Sequence, residues 1–210
     1  MRSRSRCRRA LRECLPACCG LMETDVAEKK PAQPSLIVGP GRLSFPSLFE
    51  PRQQKGAAKP RWETNLLLPP DTDVERIRKA LHDACVAEFG DPKSWPRKLR
   101  RPEDVLMPAP EKGNYAGYEE GWWCLSCANS KERPEIIDAM KAEVTDPKQV
   151  YPGRWARLNV RPYAYRAESS GLSLWLSHVQ LLKHDTPLAG GPKAKDVFDE
   201  VAEAMDDVPF

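Results

Sequence analysis

The chain has 210 residues, 30% of them charged and 40% hydrophobic, which is enough for one ordinary buried core plus tails. It contains no run of about 18 apolar residues, which excludes a hydrophobic membrane-spanning helix. Its seven cysteines, four of them within the first 19 positions, do not form the even, spread framework of a secreted disulfide scaffold and point to a reducing cytoplasm.

The net charge of +3 hides a gradient. Residues 1–21 carry six Arg against one Glu, residues 196–210 carry six acids and no Lys or Arg, and the body between them is mildly basic. Such polarity suits an anionic partner for the body and a different use for the end. The basic start has only a poor apolar stretch, broken by Pro16, so it is a weak signal peptide. Met22 opens an ordinary polar stretch and is an alternative start, so the arm before it is assigned no function. Residues 1–35 are expected to be disordered.

Residues 35–51 then read as a short strand interrupted at Gly39–Gly41, with Leu43 and Phe45 facing a core and Arg42 and Ser44 facing out. Residues 52–59 form a flexible basic loop. Residues 60–70 give a second strand, stopped by Pro69 and Pro70. One helix follows, with Thr72 and Glu75 as a capping box, Gly90 as its stop, and Val74, Ile77, Leu81, Ala84 and Cys85 on its apolar face. Residues 91–120 hold five prolines and many charges and read as a long irregular loop. The third strand lies in residues 121–130, the fourth in 153–167 and the fifth in 172–182, the last two separated by a turn at Glu168–Gly171. This inventory predicts an all-β protein with one capping helix, a five-stranded OB-fold barrel flanked by disordered N- and C-terminal tails. The expected divisions are 1–35, a binding domain at 36–187, and a Gly-rich hinge with an acidic tail at 188–210.

The fourth strand carries the clearest functional signal. Its even positions, Ala156, Leu158, Val160, Pro162 and Ala164, are small or apolar, as a barrel interior requires. Its odd positions include Trp155, Arg157, Asn159, Arg161, Tyr163 and Tyr165. A face of rings and guanidinium groups suits a ligand with flat rings and a charged backbone, and single-stranded nucleic acid has both. The bland alternative is that the rings pack under a loop and the arginines pair with acids. Two basic patches point the same way: Lys93, Arg97, Lys98, Arg100 and Arg101 around Trp95, and Lys131 with Arg133 after the third strand. Trp122 and Trp123 are adjacent, so one should point in and one out.

No cofactor, metal site or catalytic set is expected. Cys124 and Cys127 lie three apart on a strand, hence on opposite faces, and zinc would need two further ligands. His82, His178 and His184 are not grouped with a nucleophile. No phosphate-binding glycine motif has the required spacing.

The chain ends in Asp206-Asp207-Val208-Pro209-Phe210. Phe210 offers both a ring and the terminal carboxylate, which an apolar pocket rimmed by Arg or Lys could hold. The two Asp would add steering, and Pro209 would lower the ordering cost. This ending resembles the C-terminal tip of bacterial single-stranded DNA-binding proteins. The body, through "GRLSFPSLFEP", "ANSKERPEIID", "VYPGRWARLNVRPYAY" and "HVQLLKHDTPLAGG" over roughly residues 41–191, is similar to a phage and prophage family of single-stranded DNA-binding proteins akin to those of the T-odd coliphages. The resemblance implies an OB barrel, dimerisation, and a tail that binds replication or recombination proteins and competes with DNA for a basic groove.

The combined expectation is a non-enzymatic protein that coats single-stranded DNA in the host cytoplasm during phage replication or recombination. Trp155, Tyr163 and Tyr165 would stack bases. Arg157, Arg161, Lys131 and Arg133 would meet phosphates, helped by Arg97, Lys98, Arg100 and Arg101. Asp206, Asp207, Pro209 and Phe210 would hold a polymerase, helicase or recombinase. The alternatives are a phage structural or adaptor protein whose aromatic strand face is a protein interface, and a metal-dependent nuclease or annealing enzyme.

Overall fold

The computed structural model describes residues 34–54, 59–166 and 170–188. In chain order its strands are β1 (Leu36–Arg52), β2 (Arg61–Leu68), β3 (Leu106–Pro108), β4 (Trp123–Asn129), β5 (Glu135–Ile137), β6 (Trp155–Tyr165) and β7 (Gly171–Leu181). β1 pairs with β2 and β6, β2 with β4, and β6 with β7, all antiparallel. A parallel contact between Ala128 on β4 and Trp175 on β7 closes the ring. The order around it, β1-β2-β4-β7-β6, makes the expected five-stranded OB-type barrel. The two three-residue strands add to it, β3 alongside β4 and β5 alongside β7.

The interior is built by alternation. Leu66 and Leu68 from β2, Leu125 from β4, Ala156, Leu158 and Val160 from β6, and Leu172, Leu174, Leu176, Val179 and Leu181 from β7 are all buried in one apolar cluster. The change of phase in β7 coincides with a bulge, where the β6–β7 register shifts after Asn159.

β1 departs from the reading given above in two ways. It is one 17-residue strand, not a short interrupted one. Its first half, Leu36–Arg42, pairs with β6 across an irregularity between Val38 and Gly41, and its second half, from Arg42 on, pairs with β2. A second shift, between Ser44 and Ser47, reverses the faces. Ser44 is buried, and Phe45 is 45% exposed with φ of 48°.

Helix α1 (Glu75–Phe89) buries Ile77, Leu81, Ala84, Cys85 and Phe89 and packs against β6 and β7. The predicted capping box does not form. The N-cap is Val74, and the Asp73 carboxylate accepts the Glu75 N–H at 3.1 Å. Gly90 ends the helix as expected, donating its N–H to the Val86 carbonyl. Residues 91–120, expected to be irregular, contain two short helices, α2 (Pro102–Val105) and α3 (Ala109–Lys112), on either side of β3.

Cys124 and Cys127 fall on opposite faces. Cys127 belongs to the barrel core, while Cys124 sits in a second cluster outside the sheet with Leu67, Ala109 and Tyr118. Burial pushes both thiols above the ordinary cysteine range and raises Cys85 to about 11, so all three favour the thiol over the reactive thiolate at neutral pH. The tandem tryptophans divide likewise, Trp122 against the outer cluster and Trp123 against the core.

Candidate nucleic-acid interface

A cleft of about 640 Å³ lies on the outer face of β2 and β4. The two strands present alternate residues to it: Arg61, Glu63 and Asn65 from β2, Ser126 and Ala128 from β4. One wall is the end of β1, with Arg52 and Gln54, and the other is the α2–β3–α3 segment, which supplies Asp104, Met107 and Lys112. Arg100 and Ser173 sit at the far side. In an OB barrel the ligand face is the one formed by the second and third long strands and the loops beside them. Here those strands are β2 and β4, so the cleft occupies that position.

The cations of the cleft are not equivalent. Among the described residues, Arg52, Arg100 and Lys112 have no carboxylate partner. Arg61 donates Nε–H to Glu63 Oε2 at 2.7 Å. Asp104 is engaged locally, its carboxylate accepting the Arg101 N–H at 2.7 Å at the start of α2. Arg100 is held in place by its backbone, which donates to Ser170 and accepts from Leu172 at the start of β7.

Rings gather at one end. Phe45 and Tyr115 meet edge-on with centroids 5.1 Å apart, and Tyr118 lies 5.3 Å from Tyr115. Tyr118 is the buried anchor: its hydroxyl donates to Ser44 Oγ at 3.0 Å and accepts from Asn65 at 3.3 Å. Desolvation raises its pKa above the ordinary phenol value. Phe45 and Tyr115 are about half exposed and flank the opening.

The fourth-strand expectation rested on β6 alternation, which the structure shows clearly. Ala156, Leu158, Val160 and Pro162 are buried, and Arg157 and Arg161 are exposed. The outward residues form two groups, not one. Toward the end of β6, Tyr163 lies 6.1 Å from Trp175 and 6.0 Å from Tyr165, and Lys131 is 5.3 Å above the Trp175 ring. Arg161 is paired in register with Trp175, and Tyr163 with Ser173. Because Ser173 and Ala128 line the cleft, and Ala128 pairs with Trp175, this group continues the cleft surface.

At the start of β6 the chain supplies its own partners. Trp155 donates its indole N–H to Asp185 at 2.7 Å, has Lys183 at 4.6 Å over its ring, and lies 6.4 Å from Trp122. That indole hydrogen bond, followed by the Thr186 N–H and the charges of Arg42 and Lys183, lowers the Asp185 pKa. Arg157 donates to Gln180 at 3.0 Å.

The basic patches separate too. Asn129, buried and anchored to the Leu176 carbonyl, accepts the Lys131 and Glu132 N–H groups and so shapes the turn that carries Lys131 to Trp175. Arg133 stacks on Phe49 at 5.0 Å. Of Arg97, Lys98, Arg100 and Arg101, only Arg100 lines the cleft, and the other three are exposed. Phe45, Tyr115, Trp175, Arg52 and Lys112 were not among the predicted residues. None of these five lies on β2 or β4: they come from β1, α3, the loop after it and β7, and only the strand pairing brings them to one face. Asp206, Asp207, Pro209 and Phe210 lie outside the described residues.

After β7 the chain runs back across the barrel. Arg42 donates to the Thr186 carbonyl and pairs with Asp185, both at 3.2 Å. Gly153, at φ +101°, leaves room for this strap, since a Cβ there would meet the Thr186 carbonyl oxygen at 2.5 Å. Leu188, the last described residue, packs into the outer cluster beside Tyr118 and Gly117, near the aromatic end of the cleft.

A family profile described as Enterobacter phage Enc34, ssDNA-binding protein, matches residues 34–209. The putative protein p50 of Acyrthosiphon pisum secondary endosymbiont phage 1 is 28% identical over 173 residues, covering 79% of this chain and 93% of that protein. The single-stranded DNA-binding protein of bacteriophage Enc34, solved in complex with ssDNA, superposes with a TM-score of 0.59 at 22% identity over 74% of this chain and 89% of its own. Bacteriophage T7 gp2.5, a single-stranded DNA-binding protein, gives a TM-score of 0.53 at 15% identity over 85% of this chain and all of its own. At these identities the two structures establish the shared fold, and the profile match spans most of the sequence: the chain belongs to the Enterobacter phage Enc34 ssDNA-binding protein family.

Proposed function

We propose that this protein binds single-stranded DNA without strict sequence preference and serves phage DNA replication or recombination as a binding protein, not as an enzyme. The observation that carries this reading is one cleft holding both half-exposed rings and cations without carboxylate partners, on the ligand face of an OB barrel. Phe45 and Tyr115 stack bases at one end, and Trp175, Tyr163 and Tyr165 at the other. Arg52, Arg100 and Lys112 meet phosphates inside the cleft, while Arg161 and Lys131 extend the track beyond it. Any base offers a ring face for stacking, so this chemistry is sequence-tolerant. Trp155 and Arg157, already engaged within the chain, support the strap and the sheet in this scheme. Arg97, Lys98 and Arg101 provide outlying positive charge, and Arg133 closes over Phe49.

Family membership supports the same substrate. The binding unit is taken as residues 36–187, with 1–35 and 188–210 as appendages. The tail acts through Asp206, Asp207, Pro209 and Phe210 on a replication or recombination protein, and its acids compete with DNA for the cleft. A homodimer in the host cytoplasm completes the proposal.

The test is a tryptophan-fluorescence titration with oligo(dT) at several salt concentrations. Three phosphate contacts predict a log–log slope of at least about −2, at roughly −0.7 per phosphate on a single strand. Absence of binding, or affinity independent of salt, rejects the reading.

A further inference from the structure

Glu63 is out of place on the floor of a cleft built for an anion. It is not a stray surface acid: its side chain is only 16% exposed. Gln54 donates its amide to both carboxylate oxygens, at 2.7 and 2.8 Å, and Arg61 Nε–H is donated to Oε2 at 2.7 Å. Arg61 also donates a short hydrogen bond to the Gln54 side-chain oxygen, which closes the triad. The arrangement follows from the ladder. Arg52 and Arg61 stand opposite each other where β1 meets β2, and like charges across a ladder repel. Glu63 lies two residues further along β2, on the same face, where it reaches Arg61. Arg52 has no such partner among the described residues.

We infer that Glu63 withholds Arg61 from the nucleic acid, so that the cleft grips phosphate through Arg52, Arg100 and Lys112 while a fourth cation, the Arg61 guanidinium on the cleft floor, is neutralised. Glu63 is therefore a positioning residue that sets how strongly, and with what salt dependence, the cleft binds. Two consequences follow from the geometry. The triad ties the end of β1 to the start of β2, holding Arg52 at the wall. It also leaves affinity below what the four cations could deliver, which favours release when a polymerase or recombinase must reach the strand. This inference rests on the cleft being the single-strand site.

Three full-length variants test it, each checked by thermal melting and titrated with oligo(dT) across a salt series. Glu63→Gln frees Arg61, and its salt slope steepens by up to about 0.7, one added phosphate on a single strand. Its low-salt affinity rises several-fold. Arg61→Gln with Glu63→Gln leaves an amide pair of zero net charge, and its slope equals that of the original protein. Gln54→Ala loosens the triad and moves the slope toward that of Glu63→Gln.

An unchanged or shallower slope in folded Glu63→Gln overturns the inference. If that variant fails to fold, the double variant decides: a slope shallower by about 0.7 means Arg61 already contacts phosphate beside Glu63, and the inference is wrong. If the original protein does not bind oligo(dT) at all, it is the functional reading that fails.

Discussion

Phe45 sits at φ of 48°, where a bulky L residue pays roughly 1–2 kcal/mol against its ordinary conformations. That strain turns the ring outward, edge-on to Tyr115 at the opening of the cleft. Strained backbone held in place by packed surroundings is a recurrent feature of ligand sites, and here Tyr118, bonded to Ser44 and Asn65, supplies the packing. Phe45→Ala and Tyr115→Ala should each weaken oligo(dT) binding by about 1–3 kcal/mol, the value of one base–aromatic stack, measured by fluorescence titration. Unchanged affinity in both variants would remove this pair from the binding path. Strict strand alternation through Leu43, Ser44 and Phe45 puts the Phe45 ring inside. The bulge that reverses it depends on how β1 meets two different neighbours, which is not encoded in local sequence.

β6 shows the opposite case. Its ladder with β7 is regular over most of its length, so alternation alone gives the correct inner and outer faces. What alternation could not reveal was the separation of the outer face into a ring-rich end joined to the cleft and a Trp155 end bonded to Asp185. That division depends on residues far away in sequence. The 91–120 segment was obscured by its prolines, which do break regular structure but here open the short helices α2 and α3 and form a cleft wall. The same distinction governs its basic run. Arg100 is fixed by backbone bonds to Ser170 and Leu172, whereas Arg97 and Lys98 point to solvent outside the cleft. Arg100→Ala should therefore flatten the salt slope by about 0.7, while Arg97→Ala and Lys98→Ala change it much less. Equal effects at all three positions would mean that the run acts only as diffuse charge.

Barrel closure brings β4 beside β7 and so joins the β2–β4 face to the β6–β7 face, making one surface from segments such as β2 and β7 that lie more than 100 residues apart in sequence. The barrel, its five strands and its covering helix were readable from periodicity and turn residues. The cleft was not, because it lies between strands whose pairing the sequence does not state. The strap that follows β7 brings Leu188 beside Tyr118, near the aromatic end of the cleft, and the acidic C-terminal segment follows it in sequence. Its last 22 residues can span up to about 3.3–3.6 Å each, enough to reach either the cleft or a partner protein. Removing Asp196–Phe210 should tighten oligo(dT) binding and abolish capture of a replication or recombination partner. Unchanged behaviour in both assays would refute that role for the tail.

The central claim is that single-stranded DNA lies across the outer face of β2 and β4 between two groups of rings. Ultraviolet crosslinking of the full-length protein to oligo(dT), with the adducts mapped by mass spectrometry, tests it most directly. The account predicts adducts at Phe45, Tyr115, Trp175 and Tyr163. Adducts confined to α1 or to the Trp155 corner, with none in the cleft, would contradict it.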